Sequence, residues 1–553
     1  MTHSIADDWV ARFADEVIEA AKDREEGKPI VCASGLSPSG PIHLGNLREV
    51  MTPHLVADEI RRRGHDVVHI LSWDDFDRFR KVPAGIEGVD ESWAEHIGRP
   101  LTSVPPPPGS PYGSWGEHFK AAMAASLEEL GVRYRGISQT EMYASGAYVE
   151  QILLAMRERN HIDAVLGKYR TKIAPEENDE DGEGATGYYP YRPYCAVCNR
   201  DTTTVTAYDD DTTELTYTCS YGHGATVLLR EHRHGKLVWK VDWPMRWSYE
   251  GVHFEPSGVD HTSPGSSFVV GTQLVAEVFG AKAPIGPMYA FVAIAGQAKM
   301  SSSRGGVPVP GDALTVMEAP LLRWLYSRRR PNQAFKIAFD DEIQRMYDEW
   351  DTLGRKVGEG TAAPADAAAY HRAVGTAAGP LPVTPRPLPY RMLASVADIT
   401  VGDPDQMLRI LSDIDPANPV VTLDDVRPRL DCAVRWVTTY VPDESRTHVR
   451  TEPDKDLLAS LDEEQKAALV LLAQRLDDQW SLEGLTSLVY GVPKIRLGLP
   501  MDTKPTPELK VAQREFFSLL YRLLVGRESG PRLPTLLLSL GAARVRTLVG
   551  QDA

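Results

Sequence analysis

The spacing of apolar residues near the start of the chain predicts a βαβ unit. An amphipathic helix is expected over residues 6–26, and the buried-strand pattern KPIVCASG follows it. Residues 43–64 then carry helical apolar spacing and end at Gly64, a residue type favoured just after a helix C-terminus. HDVVHILSW predicts a second strand. Strand, helix and strand in this order imply a parallel sheet with a right-handed crossover.

The apolar pattern changes twice along the rest of the chain. Helices are expected over 115–130 and 146–160, whereas residues 168–235 carry an acidic run and most of the cysteines. KLVWKVDWPMRW then has strand character, and the pattern becomes mostly helical from about residue 319. Residues rich in Ala and Pro predict a loop or connector over 359–390. Helical periodicity resumes over 406–415, 424–441, 456–478, 507–526 and 534–550. The chain is therefore expected to have an α/β N-terminal half and an all-α C-terminal half.

Composition narrows the class of protein. The 553 residues are 42% apolar and 25% charged, which is typical of a globular protein. The sequence contains no stretch of about 18 apolar residues, so no membrane span is predicted. The charged N-terminus lacks the apolar core of a secretory signal. Five cysteines without a leader favour the reduced cytoplasm over a disulfide scaffold. A net charge of −17 argues against a general nucleic-acid coat protein, but it leaves room for RNA held by a local basic patch.

The loop between the first strand and its helix is a predicted phosphate site. Free N–H groups and the positive helix end converge there. The loop is neither a P-loop nor a GxGxxG motif, and its distinctive part is PIHLGN, residues 41–46. His43 at the helix start is suited to stabilising charge on a phosphoryl oxygen, Gly45 permits close approach, and Asn46 offers a further hydrogen bond. Taken alone, the string is equally explained by a capped helix start with a solvated histidine.

A second loop, GQAKMSSSRGG at residues 296–306, combines Lys299 with three neighbouring hydroxyls. The hydroxyl residues are Ser301, Ser302 and Ser303. Together these groups can converge on a triphosphate as it approaches its transition state. A serine-rich loop alone is also explained as a plain solvated loop.

The spacing of cysteines predicts a metal site. Cys-x₂-Cys is followed after 20 residues by Cys-x₃-His, which fits a Cys₃His zinc site with structural, four-coordinate geometry. The predicted ligands are Cys195, Cys198, Cys219 and His223. Free thiols or a redox pair are the alternatives, and His232 or His234 are substitutes for the fourth ligand. Cys32 and Cys432 are expected to be ordinary core residues.

These motifs together resemble a known family. PIHLGN and KMSSS are similar to the HIGH and KMSKS signatures of class I aminoacyl-tRNA synthetases. The strings ASGLSPSGPIHLGNLREV, SWDDFDRFRKVP, KVDWPMRW and GVDHTSPGSS resemble the lysyl members of class I, over nearly the whole chain. Asn46 replaces the last His of HIGH, and Ser302 replaces the second Lys of KMSKS. The second departure leaves Lys299 to carry more of the phosphate charge, helped by Arg304.

The resemblance implies a fold, an activity and a set of partners. The expected fold is a Rossmann-like parallel catalytic domain with a zinc-binding insertion, followed by an all-α anticodon-binding half. The expected segments are 1–167 and 236–318 for the catalytic domain, 168–235 for the insertion, 319–400 for a tRNA stem-contact linker and 401–553 for anticodon binding. The implied reaction activates L-lysine with ATP and passes lysyl to the 3′ end of tRNA(Lys). Mg²⁺ is expected with ATP, and the protein is expected to be a monomer.

The ATP and lysine sites follow from the same resemblance. The implied ATP-binding residues are Pro41, His43, Gly45, Asn46, Lys299, Met300, Ser301, Ser302 and Ser303. Catalytic roles fall to His43, Asn46, Lys299, Ser301 and Ser302. The implied lysine-binding residues are Gly35, Ser37, Asp74, Trp243, Asp260 and His261.

Lysine requires carboxylates or aromatic faces around its ammonium groups. Asp74 and Asp75 end the second strand, where ligands of parallel sheets bind, and Asp74 is preferred. Pairing with Arg78 or Arg80 in a structural network is the alternative for Asp75, and the favoured explanation for Asp77.

Two other functions compete with lysine ligation. A glutamyl enzyme would share the fold, but residues 31–35 carry no cation for a second carboxylate. An RNA-binding zinc protein without activity is disfavoured by the intact His43, Asn46 and Lys299. The arginines 328–330 offer a contact for tRNA phosphates, although they equally complement a helix dipole.

Overall fold

A computed structural model describes residues 8–170, 183–184, 187–262, 265–294 and 306–551. The chain divides into two compact units. The first unit comprises residues 1–314, 319–337 and 353–382, and the second comprises 315–318, 338–352 and 383–553. The domain boundaries expected from the sequence remain predictions.

The strands are short and belong to several small sheets. Their bounds are β1 Ile30–Leu36, β2 Val67–Trp73, β3 Arg135–Ser138, β4 Glu183–Gly184, β5 Gly187–Tyr188, β6 Tyr191–Pro193, β7 Thr203–Tyr208, β8 Glu214–Cys219, β9 Gly224–Leu228, β10 Gly235–Leu237, β11 Ser257–Gly258, β12 Met288–Tyr289, β13 Val292–Ile294, β14 Phe335–Ile337, β15 Gly375–Thr376 and β16 Gly379–Pro380.

Helices make up most of the remaining described structure. Those up to residue 374 are α1 Trp9–Ala20, α2 Leu47–Arg62, α3 Trp115–Glu129, α4 Gln139–Ser145, α5 Val149–Arg157, α6 Arg159–Arg170, α7 Trp239–Glu250, α8 Ser267–Glu277, α9 Pro310–Val316, α10 Ala319–Ser327, α11 Glu342–Gly358 and α12 Pro364–Val374. The rest are α13 Tyr390–Ile399, α14 Pro404–Ile414, α15 Arg429–Tyr440, α16 Lys455–Ser460, α17 Glu463–Arg475, α18 Leu482–Arg496, α19 Pro507–Val525, α20 Leu533–Leu540 and α21 Ala542–Leu548.

The sheet formed by β1, β2 and β3 confirms the βαβ prediction. β1 pairs with β2 in parallel from Ile30↔Val67 to Leu36↔Trp73, and β3 continues the sheet in parallel on the other side of β2. Both faces of β1 are buried, which explains its continuous apolar run. Gly64 has a left-handed φ of 84° just after α2, as its position in the sequence predicts. The carboxyl ends of all three strands therefore lie along one edge.

The strand prediction for KLVWKVDWPMRW is wrong over most of its length. Only β10 is extended, and α7 begins at Trp239. Trp239, Trp243 and Trp247 recur every four residues, so one helix face carries all three rings. That face packs into the core, and this tertiary burial overrides the strand preference of Trp and Val.

The loop prediction for residues 359–390 is also wrong in part. α12 begins at Pro364, where proline suits the first turn of a helix, and it buries Ala369 and Ala373. β15 and β16 then form a short antiparallel hairpin. Alanine has the highest helix propensity, so an alanine-rich stretch beginning with proline favours a helix more than a loop.

The cysteine-rich region folds as a small antiparallel β structure. β7, β8 and β9 form one sheet, and β6 pairs with β10. Much of the acidic run 176–184 lies outside the described residues.

The second unit is helical in its described part. Tyr347 stacks on Tyr390 with ring centroids 4.1 Å apart, and Arg429 is buried between Glu318 and Asp351 at 2.7 and 2.8 Å. Among the residues that the structure describes, no helix combines the length and apolar character needed to cross a bilayer.

Candidate active site and metal cluster

A cavity of about 160 Å³ opens near the carboxyl ends of β1 and β2. Four carboxylates line it, from Glu49 on α2, Asp74 after β2, Glu250 at the end of α7 and Glu255 after α7. Trp239, Trp243 and Trp247 of α7 supply aromatic surface. The site thus combines enclosed acids with aromatic rings.

The carboxylate of Glu49 is held from two sides. Its Oε1 accepts a hydrogen bond from the Gly35 N–H at 3.3 Å, and its Oε2 accepts one from the Tyr289 hydroxyl at 3.0 Å. Burial raises the pKa of Glu49 to about 8, and the neighbouring Glu255 and Asp74 add to the rise. A cation in the cavity would favour its ionised form.

Glu255 and Asp74 are two further acids of the lining. The indole N–H groups of Trp243 and Trp247 donate to Glu255 at 3.1 and 2.6 Å, and burial raises the pKa of Glu255 to about 7. Asp74 accepts a hydrogen bond from Arg246 at 2.5 Å. Burial still raises the pKa of Asp74 to about 6, although Arg246 opposes the rise.

Arg246 belongs to a buried charge network behind the cavity. Its other guanidinium nitrogen donates to the fully buried Asp242. Lys236 lies 3.7 Å from Asp242 and 2.5 Å from Asp77. The sequence favoured a structural network for Asp77, and Lys236 is the partner that the structure gives it.

From the sequence, pairing with Arg78 or Arg80 is the alternative role expected for Asp75. The structure gives Asp75 other partners. Asp75 accepts hydrogen bonds from the Ser138 hydroxyl at 2.7 Å and the Thr140 N–H at 2.9 Å. Lys120 lies 3.5 Å away. Asp75 thus ties the end of β2 to the start of α4.

The structure brings most of the expected lysine-binding residues together. Gly35, Asp74, Trp243 and His261 line the cavity. Ser37 and Asp260 are not among its lining residues. The lining residues that sequence reasoning missed include Glu49, Glu255, Tyr289 and Arg246. Glu49 and Arg246 lie inside the quoted motif strings, so those strings did carry a signal for them.

The PIHLGN turn precedes α2 rather than opening it. α2 begins at Leu47, and Asn46 caps it without a side-chain hydrogen bond. Burial lowers the pKa of His43 to about 4, which keeps its imidazole neutral at pH 7. The His43 Nδ1 is buried without a hydrogen-bond partner in the described part of the chain. A ligand atom would satisfy it.

The expected phosphate-binding motif lies outside the described residues, together with the neighbouring Arg304. Its members are Lys299, Met300, Ser301, Ser302 and Ser303. The chain just after it is anchored beside the PIHLGN turn. The Leu44 N–H donates to the Pro308 carbonyl at 3.0 Å, and the Tyr326 hydroxyl donates to the Leu44 carbonyl at 2.8 Å. Pro308 is five residues beyond Ser303 in the sequence.

The predicted metal ligands form one cluster. The donor atoms of Cys195, Cys198, Cys219 and His223 all lie within 4.8 Å of one another. Cys198 Sγ is 3.7 Å from Cys219 Sγ, and Cys195 Sγ is 3.5 Å from His223 Nδ1. A tetrahedral ion with bonds of about 2.3 Å to sulfur separates its sulfurs by about 3.8 Å, so the spacing fits zinc.

The two alternative histidines are engaged elsewhere. His232 Nδ1 lies 3.0 Å from the Tyr191 hydroxyl, and His234 Nε2 lies 2.6 Å from Asn199 Oδ1. Two backbone turns position the ligands of the cluster. The Cys195 N–H donates to the Arg200 carbonyl at 2.8 Å, and the Cys219 N–H donates to the His223 carbonyl at 2.7 Å.

Comparison with known proteins identifies the family. Residues 7–377 match the family model described as tRNA synthetases class I (K). The chain belongs to this family. The resemblance drawn from PIHLGN and KMSSS is thereby confirmed, and so is the expectation that the protein is an aminoacyl-tRNA synthetase with an α/β catalytic region.

Relatives match over nearly their full length. A lysine–tRNA ligase from Streptomyces coelicolor is 65% identical, with 98% of each chain covered. One from Pyrococcus horikoshii is 33% identical, covering 96% of this chain and 97% of the relative. A solved glutamate tRNA ligase from Elizabethkingia meningosepticum is 11% identical, with 95% and 99% of the chains covered and a TM-score of 0.42.

Proposed function

We propose that this class I synthetase is a lysine–tRNA ligase. It joins L-lysine to ATP, forming lysyl-adenylate and pyrophosphate, and then transfers lysyl to the 3′ end of tRNA(Lys). The observation that carries the proposal is the acidic lining of the cavity. The lysine–tRNA ligases among the full-length relatives support it. The expected cytoplasmic location and monomeric state are parts of this proposal.

The charge balance of the cavity suits a cationic side chain. Arg246 is the one Lys or Arg among the described lining residues, and it is already paired with both Asp74 and Asp242. Glu49 and Glu255 therefore face the cavity without a cationic partner in its lining. A glutamate side chain there would lie against these acids, and an unpaired buried anion costs several kcal/mol.

We assign the ε-ammonium of lysine to Glu49 and Glu255, with the ring of Trp243 beside them. From the sequence, Asp74 is the preferred partner of the ε-ammonium. The bond of Asp74 to Arg246 makes it a weaker partner than Glu49 and Glu255. Gly35 and His261 border the same space, where the α-ammonium and carboxylate of lysine are held. Ser37 and Asp260 remain candidates at the edge of the site.

The adenylation step follows from the two motifs. The lysine carboxylate attacks the α-phosphorus of ATP, and the bond to pyrophosphate breaks. The neutral imidazole of His43 donates a hydrogen bond to a phosphoryl oxygen, and Lys299, Ser301 and Ser302 stabilise the departing charge. Mg²⁺ bound to the ATP phosphates supplies further charge neutralisation. Pro41, Gly45, Asn46, Met300 and Ser303 complete the proposed ATP site.

The transfer step uses the same cavity. A hydroxyl of the 3′-terminal ribose of tRNA attacks the carbonyl carbon of lysyl-adenylate. The ester bond forms, the bond to phosphate breaks, and AMP leaves with the electron pair while its phosphate takes up the proton of the hydroxyl. We further propose that zinc at Cys195, Cys198, Cys219 and His223 is structural, because four protein ligands leave no open position.

The test is aminoacylation of a tRNA(Lys) transcript with labelled lysine or glutamate. Because the cavity lining is acidic, we expect charging with lysine and negligible charging with glutamate. Glu49→Gln should raise the KM for lysine at least tenfold without permitting glutamate, since a charge-assisted hydrogen bond contributes about 1.5–3 kcal/mol. Glu16→Gln on the exposed face of α1 is the matched control, and it should change neither the KM for lysine nor the charging with glutamate. Charging with glutamate but not lysine would overturn the assignment.

A further inference from the structure

A second cavity, of about 50 Å³, lies beside the amino-acid cavity in the first unit. Four cationic side chains and two acidic ones line it. The cations are Arg78, Arg80, Arg192 and Lys236, and the acids are Asp77 and Asp201. We call this set of six residues the basic cleft. It is a local excess of positive charge in a chain whose net charge is −17.

The charges of the basic cleft differ in their exposure. Lys236 is largely buried and bonded to Asp77 at 2.5 Å. Arg78 lies 3.4 Å from Asp201 and is 29% exposed. Arg80 is exposed and Arg192 is half-buried, so these two form the solvent side of the cleft. An anion arriving from solvent meets their guanidinium groups first.

The N-terminus of α7 adds a second feature suited to an anion. Val238 and Trp239, at the start of this 12-residue helix, line the cleft. The N-cap residue Val238 makes no side-chain hydrogen bond to the first turn. The positive end of the helix dipole therefore favours negative charge in the same space as the arginines.

Trp239 connects the basic cleft to the amino-acid cavity. It lines both cavities and is half-buried. Its ring stacks on Trp243, with centroids 5.1 Å apart and planes at 19°. Trp239 therefore places an aromatic side chain at both cavities, on which a nucleobase can stack.

We propose that the basic cleft binds the phosphodiester groups next to the 3′ terminus of tRNA during lysyl transfer. This inference rests on the proposed function. The attacking ribose hydroxyl must reach the carbonyl carbon in the amino-acid cavity, so the adjoining phosphates must lie just outside it. Arg80 and Arg192 receive the phosphate oxygens, and Trp239 offers its ring to a terminal base.

The experiment compares two forms of a tRNA(Lys) transcript, one complete and one lacking its last three nucleotides. Their affinities are measured with the wild-type chain and with Arg80→Ala and Arg192→Ala. Each substitution should weaken binding of the complete transcript roughly tenfold, the effect of one lost charge-assisted bond. The salt dependence of log Kd should fall by about 0.7 per lost contact. The truncated transcript should bind all three proteins equally.

Two controls separate the cleft from other effects. Arg12→Ala removes a half-exposed arginine on α1 and should leave both affinities unchanged. Arg192→Lys should recover part of the loss, since it restores the charge without the planar fork. Binding of a non-hydrolysable lysyl-adenylate analogue should stay at the wild-type value in every variant. This readout also shows that the amino-acid cavity has folded.

Either of two results would overturn the proposal. One is an unchanged affinity of the Arg80 and Arg192 variants for the complete transcript. The other is an equal loss for complete and truncated transcripts, which would place the arginines against another part of the tRNA. Failure of the wild-type chain to charge lysine would instead refute the proposed function. That failure is distinguishable because transcript binding is measured without any reaction.

Discussion

At the scale of single residues, the acids of the amino-acid cavity determine how the site responds to pH. Burial raises the pKa of Glu49 to about 8, of Glu255 to about 7 and of Asp74 to about 6. All three values lie above those of the unfolded chain. The folded protein therefore binds more protons than the unfolded one between about pH 5 and 8, and these residues make stability fall as pH rises through that window.

Lysine affinity should consequently increase with pH. A bound ammonium favours ionised carboxylates, so we expect lysine to bind at least tenfold more tightly at pH 8 than at pH 6, with release of protons. Isothermal titration in two buffers of different ionisation enthalpy measures both quantities. Glu49→Gln should flatten the upper part of the profile, while Glu16→Gln should leave it unchanged. A lysine affinity that falls between pH 6 and 8 would contradict the assigned role of the acids.

The sequence predicts only part of this cavity. Asp74 follows from the rule that ligands bind at the carboxyl ends of parallel strands, and Gly35 follows from the family resemblance. Both line the cavity. Glu49 lies in the first turn of α2, where acidic residues are common for reasons of helix dipole alone. The direction in which the Glu49 side chain points depends on how α2 is rotated about its axis against the sheet. Glu255 and Tyr289 reach the site only through long-range folding, which local patterns do not encode.

At the scale of elements, short-range spacing predicts the metal cluster better than it predicts α7. The cysteines converge because two backbone turns place each ligand pair, and the motif encodes those turns. The sequence of α7 has strong strand formers, and only its four-residue tryptophan spacing indicates a helix. Local preference and periodicity conflict there, and burial of the tryptophan face decides the outcome.

Loss of one metal ligand should loosen the β7–β9 region. Cys198→Ser should release zinc and speed amide hydrogen exchange over residues 190–235, because the free energy of metal binding stabilises the local fold. Lysyl-adenylate analogue binding should persist, since the closed cluster supplies no chemical group to the reaction. Ser220→Ala, beside a ligand, is the control and should keep both metal and exchange protection. Full zinc content in Cys198→Ser, or no zinc in the wild-type chain purified without chelator, would refute the assignment.

At the scale of the whole molecule, helices are easier to predict than the units to which they belong. The periodicity of 340–357 indicates a helix, and α11 is found there. Its first part belongs to the second unit, although the first unit resumes at residue 353. The reason is long-range contact within the second unit. Tyr347 stacks on Tyr390, and Arg429 binds both Glu318 and Asp351, partners that lie far apart in the sequence.

A fragment ending at residue 382 should therefore fold poorly in solution. It would keep residues 315–318 and 338–352 of the second unit but lose 383–553, so the buried Ile343, Tyr347 and Trp350 would face water. Such a continuous apolar face favours aggregation. We expect the fragment to elute as aggregates and to bind a hydrophobic dye. Replacing the three residues with Gln should restore a monomeric peak, whereas Gln at the exposed Glu349 should not. A monomeric unmodified fragment without dye binding would show that residues 338–352 do not depend on the second unit for their burial.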